Sequence, residues 1–102
     1  MEIKVNMKND NLIISLIGRL DTMTSQKFEE KIKSISFDEI RNITINMKEL
    51  EYVASAGLRV ILMLNKKIIK NGGKLKIINA NNVIKELFTM VGMDDYLEIE
   101  QA

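Results

Sequence analysis

A chain of 102 residues with 15 Lys or Arg against 14 Asp or Glu carries a net charge of +1, which leaves no long-range field to draw it to nucleic acid or an anionic membrane. Its 46% hydrophobic and 28% charged residues are the mix of one folded domain over residues 1–102, too short for two and too apolar for disorder. With no cysteine and no histidine, disulfides, thiolate metal sites, a catalytic thiol and the commonest general base are all excluded.

Ile3, Val5 and Met7 alternate with Glu2, Lys4 and Asn6, which predicts a half-buried strand. Lys8-Asn9-Asp10-Asn11 supplies turn chemistry, and the dense apolar run Leu12 to Ile17 predicts a more central strand joined to the first as a hairpin. Gly18 is expected to end it. Asp21, Thr22 and Thr24 can each cap the helix that follows. In that helix Phe28, Ile32 and Ile35 recur at helical spacing, with Glu29, Glu30, Lys31 and Lys33 between them.

Ile43, Ile45 and Met47 alternate as a third strand, and Lys48 to Tyr52 reads as a loop with one apolar anchor, Leu50. A long apolar helix is predicted from Ala56 to Lys70. Lys66, Lys67 and Lys70 sit near its C-terminus, where cations favour the helix dipole, and Asn71-Gly72-Gly73 stops it. Leu75 and Ile77, with Ile78 a further candidate, make a fourth strand. Asn81 or Asn82 can cap a last helix bearing Val83, Ile84, Leu87, Phe88, Met90 and Val91, and Gly92 is expected to end it. Tyr96 to Ile99 reads as a short terminal strand or a docked tail. Two successive strand–helix–strand units imply parallel pairs with right-handed crossovers, and the opening hairpin adds an antiparallel strand. The fold class is therefore α/β with a mixed sheet of four to five strands. No run approaches the about 18 apolar residues of a transmembrane helix, and the N-terminus opens on a strand pattern without a signal-peptide core. A cytoplasmic protein is expected.

The candidate site is Val53-Ala54-Ser55-Ala56-Gly57-Leu58, a serine where an apolar loop meets a helix start. Ala56 and Gly57 carry almost no side chain and leave the backbone open to an approaching partner, although glycine costs about 1 kcal/mol against alanine inside a helix. The competing reading makes Ser55 only an N-cap and Gly57 only a packing position. As a nucleophile Ser55 would need a base, and the chain offers neither histidine nor a serine-x-x-lysine arrangement. Ser55 is better read as the substrate of a kinase, which brings its own base, ATP and magnesium.

The second candidate is Gly18-Arg19-Leu20-Asp21, in which Asp21 either shares the sheet edge with Ser55 or merely caps the first helix. One aspartate is too few for a phosphorelay receiver, and Gly72-Gly73-Lys74 lacks the remainder of a phosphate loop. The third is the long helix. Leu58, Val60, Ile61, Leu62, Met63 and Leu64 exceed what one buried face requires, so either some of them form an apolar contact patch beside Arg59 or all of them are core.

Taken together, Tyr52-Val53-Ala54-Ser55-Ala56-Gly57-Leu58-Arg59-Val60 resembles the signature of STAS domains, the sulfate-transporter and anti-sigma antagonist family. Gly18-Arg19-Leu20-Asp21, Gly72-Gly73-Lys74-Leu75 and the stretch from Val83 to Leu97 are similar to that family's other elements, in its order. The resemblance implies helices mainly on one face of the mixed sheet and an anti-sigma factor antagonist, not an enzyme, with no cofactor. It implies two partners: an anti-sigma factor that is also a serine kinase and phosphorylates Ser55, and a metal-dependent serine phosphatase that reverses this. The implied contact residues are Asp21, Ala54, Ser55, Ala56, Gly57, Leu58, Arg59 and Leu62, on a protein that is monomeric when free. The chain departs from the family at Ala54, where an aspartate often precedes the serine, and at Asn46, where one often ends the third strand. The alternative within the family is an unphosphorylated accessory subunit of a lipid-transport complex.

Overall fold

Strands β1 (Glu2–Lys8) and β2 (Asn11–Leu20) pair antiparallel around a turn in which Asn9 adopts a φ of +59°. That left-handed conformation is one asparagine tolerates better than most residues. There follow α1 (Thr22–Lys33), β3 (Asn42–Asn46), β4 (Leu50–Val53), α2 (Ser55–Lys70), β5 (Lys74–Ile78), α3 (Asn82–Met90), a 3₁₀ turn at Met93–Asp95 and β6 (Glu98–Ile99). This computed structural model describes residues 1–95 and 97–100. The sheet runs β1-β2-β3-β5-β6, with β4 beside the far end of β2, and every pairing except β1–β2 is parallel.

Register explains where the core lies. Leu12 and Ile14 on β2 stand beside Ile43 and Ile45 on β3, which stand beside Leu75 and Ile77 on β5. All six are buried, whereas the intervening Ile13, Ser15, Thr44, Lys76 and Ile78 are half-buried. Because side chains alternate along a strand, one face of the sheet is sealed and the other stays open. The seal comes from Phe28 and Ile32 of α1, Ile61, Leu64 and Ile68 of α2, and Ile84 and Phe88 of α3, all buried. The α2 positions recur every three or four residues, which is the stripe a single helix face presents.

The mixed α/β sheet is as expected, but among the described residues it holds six strands. The extra strand is Leu50–Val53, in the segment that reads as a loop from sequence. Only its two end residues are buried while Glu51 and Tyr52 are exposed, so it shows no alternation to detect. Gly18 does not end β2. Its φ of +104° marks a register shift between Gly18 and Arg19, after which the strand runs on to Leu20. A bulge of this kind bends the strand. β2 pairs with β3 through Ser15 and with β4 from Gly18 onward, so the bulge lies within the β4 pairing, which the Gly18 N–H joins by donating to the Glu49 carbonyl at 2.9 Å. Ile35 lies beyond the end of α1, half-buried against the core. Of the α3 residues, Val83 and Met90 are exposed, as is Val91 just past its end. Tyr96 lies outside the described residues.

Candidate functional site

Two strand–helix corners meet at one end of the sheet. At the first, β2 ends on Leu20 and Asp21 caps α1. The Thr24 N–H donates to Asp21 Oδ1 at 2.9 Å, and the Asp21 N–H donates back to Thr24 Oγ1 at 2.8 Å. The one threonine hydroxyl proton has two acceptors within 3.0 Å, the Arg19 carbonyl at 2.8 Å and Asp21 Oδ1 at 3.0 Å. This reciprocal box satisfies two donors that a helix start otherwise leaves unpaired. At the second corner β4 ends on Val53, and Ala54, in extended conformation, takes the cap position of α2 with no side chain to serve it. The Ala54 N–H donates to the Leu20 carbonyl at 2.8 Å, which ties the two corners together. Asp21 and Ser55 are thus each the residue next along the chain from one bonded backbone group.

Ser55 is the first residue of α2, not its cap. Its side chain is exposed, and among the described residues its hydroxyl has no hydrogen-bond partner. The capping role that competes with a functional one is therefore unfilled by this serine. Gly57 and Leu58 are buried. A Cβ on Gly57 would stand 2.6 Å from Leu20 Cδ2 and 3.0 Å from Val53 Cγ1, so the glycine lets α2 close onto the ends of β2 and β4. Access to Ser55 does not come through Gly57. These two residues support the surface from behind, while Ala54 and Ala56 are half-buried beside Ser55.

Along α2, Ser55, Arg59, Leu62, Met63 and Lys66 fall on one face by helical spacing. Ser55, Arg59 and Lys66 are exposed, and Leu62 and Met63 are half-buried. The apolar patch beside Arg59 is thus confined to those two, since Leu58, Val60, Ile61 and Leu64 are core. Arg59 reaches Glu29 of α1 at 3.9 Å, and Glu29 also pairs with Lys33 at 3.2 Å. Sequence reasoning assigned no role to three neighbours. Arg19 lies over the Tyr52 ring at 5.1 Å from its centroid, and Met23 is 74% exposed at the start of α1. Arg19 and Tyr52 lay within the motifs, but their contact depends on β4 pairing with the end of β2. Among the described residues no group of three or more acidic or other metal-binding side chains converges, and no helix is long and apolar enough to cross a membrane.

The Thr24 N–H, and next the Thr24 hydroxyl, hold the Asp21 carboxyl below the ordinary carboxylate range, with smaller help from the Met23 N–H and from Arg19. A lowered folded-state value means stability that is present above the unfolded value and lost as pH falls through the folded one. Asp21→Asn keeps a cap but cannot titrate. Wild type and Asp21→Asn should therefore show a constant difference in thermal midpoint at neutral pH. That difference should shift against wild type only below about pH 4. Parallel pH profiles down to acid unfolding would remove Asp21 from the account.

This arrangement is that of a STAS domain, and the chain belongs to that family, which it matches over residues 2–102. It is 30% identical over 101 residues to the anti-sigma-B factor antagonist of Bacillus subtilis (strain 168), covering 97% of this chain and 92% of that protein. Its fold is similar to that of the unphosphorylated anti-sigma factor antagonist SpoIIAA, with a TM-score of 0.79 at 18% identity over 99% of this chain and 89% of that one. The phosphorylated form of the Bacillus cell fate determinant SpoIIAA gives 0.78 at 19% identity over 99% and 91%. The family resemblance read from the motifs is borne out.

Proposed function

We propose that this protein is a cytoplasmic anti-sigma factor antagonist that binds an anti-sigma factor serine kinase and is switched off by phosphorylation of Ser55. The observation that carries the reading is the exposed Ser55, whose hydroxyl has no hydrogen-bond partner among the described residues, at the joint of two tied corners. The name of the Bacillus subtilis relative supports it. Asp21, Ala54, Ser55, Ala56, Arg59 and Leu62 form the contact surface, with Gly57 and Leu58 holding it in place. In the modification the Ser55 oxygen bonds to the γ-phosphorus of ATP, the bond from that phosphorus to the bridging oxygen breaks, and ADP leaves. The hydroxyl proton passes to the kinase's base. A metal-dependent serine phosphatase hydrolyses the ester and restores the active form. The antagonist itself catalyses nothing and is monomeric when free.

The phosphate adds about 1.5 to 2 negative charges at a helix N-terminus, where the free N–H groups and the dipole favour them. The fold tolerates the modification and the partner does not, because closing on that helix end would bury the new charge. The test is intact-mass spectrometry after incubation with ATP, magnesium and lysate of the native host, with Ser55→Ala alongside. One phosphoryl group is expected on wild type and none on Ser55→Ala. No addition, in a lysate that phosphorylates another substrate, would leave an unswitched binding module such as an accessory subunit of a lipid-transport complex.

A further inference from the structure

We infer that Arg59 is the built-in receiver of the Ser55 phosphate. Phosphorylation draws its guanidinium off Glu29 and onto the phosphoserine, so the modification withdraws a cation from the contact surface as it adds an anion. This rests on the phosphosite reading above and states how that site is regulated.

The geometry is that of one helix face. Ser55 and Arg59 are four residues apart on α2, the spacing at which side chains are neighbours, and an anion N-terminal to the cation is the better order. Helical side chains lean toward the N-terminus, so Arg59 covers the turn that begins with Ser55. Arg59 is loosely held: its side chain is 73% exposed and its ion pair with Glu29 spans 3.9 Å. A pair at that distance with so exposed a cation contributes little, even though Glu29 is half-buried. Glu29 loses nothing it needs, because Lys33 stays beside it at 3.2 Å.

Carboxylate and phosphate can both accept two parallel N–H bonds from the planar guanidinium, but the phosphate dianion carries about twice the charge and stands one turn away on the same helix, so it displaces Glu29 from its 3.9 Å contact. The other charged groups of the two corners are already engaged or exposed elsewhere. Asp21 is locked in its capping box and Arg19 rests on Tyr52. Glu51 is exposed on β4.

The test installs phosphoserine at position 55 during translation, so that no kinase is required. The second ionisation of the phosphate is followed by phosphorus NMR in this protein and in its Arg59→Gln, Arg59→Lys and Lys66→Gln variants. With Arg59 present the phosphate should ionise about half a pH unit lower than in Arg59→Gln at low salt, and the gap should shrink in 1 M salt. Arg59→Lys should recover only part of the shift. Lys66→Gln, on the same face but farther along, should match wild type. The Arg59 Nε–H signal should move on phosphorylation. Equal ionisation in wild type and Arg59→Gln, with an unmoved Arg59 signal, overturns the inference. Because the phosphate is installed directly, that result is independent of whether host lysate phosphorylates Ser55, which the mass experiment decides.

Discussion

Ser55→Asp should weaken binding to the anti-sigma factor by about 100-fold, while Ser55→Ala should bind within about threefold of wild type. The asymmetry follows from what each change does at the interface. Removing a hydroxyl that has no hydrogen-bond partner among the described residues costs no bond, and alanine is a good residue at a helical position. Adding a carboxylate puts a charge where the contact has to close, and burying it costs several kcal/mol. The fold should not register the change, because an acid in the first turn of a helix interacts favourably with the dipole. Calorimetric titration of the three proteins against the anti-sigma factor, with thermal midpoints measured alongside, separates binding from folding. If Ser55→Asp bound like wild type, the charge-based switch would be wrong. If it unfolded, the claim that this corner tolerates an anion would fail.

Gly73→Ala should destabilise the fold by about 3 kcal/mol, a fall in thermal midpoint of roughly 15 °C. Gly73 lies where α2 hands over to β5, and its Cα packs directly onto the backbone at the entrance of β3. A Cβ there would overlap the Arg41 carbonyl group and stand 2.9 Å from Ile68 Cγ1. The strand entrance has no freedom to retreat. Arg41 accepts from the Lys74 N–H at 3.1 Å and donates to the Asp10 carbonyl at 2.9 Å, while the Gly73 N–H is spent on Ile68 at 2.9 Å. Relieving the overlap would break parallel pairing at the start of both β3 and β5. Neighbouring Gly72 is a contrast. Its φ of +82° strains any side chain, but the nearest atom a Cβ would meet is the mobile end of Arg41 at 3.9 Å. Gly72→Ala should therefore cost only about 1 kcal/mol. Urea unfolding of both variants checks the order, and a loss below about 1 kcal/mol at Gly73 would show that the two strands can part locally.

Much of the fold was legible because its signals are local. The strands around Ile3 to Met7, Leu12 to Ile17, Ile43 to Met47 and Leu75 to Ile77, the three helices, and the capping roles of Asp21 and Asn81 each rest on periodicity or on side-chain chemistry within a few residues. The strand Leu50–Val53 was not legible, because its pattern of burial is set by whichever elements cover its two ends. Gly18 shows the same limit: a glycine after an apolar run reads as an end, and only pairing with β4 turns it into a bulge.

The site divides in the same way. Sequence alone determined that a serine with neither a histidine nor a serine-x-x-lysine partner stands at the start of an apolar helix, and that no cysteine or histidine chemistry is open to this chain. Composition and short-range pattern suffice for that. Tertiary structure decided that Ser55 is the first helical residue, its hydroxyl without a hydrogen-bond partner among the described residues, that Gly57 packs instead of opening access, and that Arg59 faces Glu29. Each depends on contacts between residues distant in sequence. The Ala54 N–H to Leu20 carbonyl bond joins positions 34 apart and ties the start of α2 to the end of β2. Such bonds exist only once the two corners have been folded against each other, and no spacing along the chain encodes their length or direction.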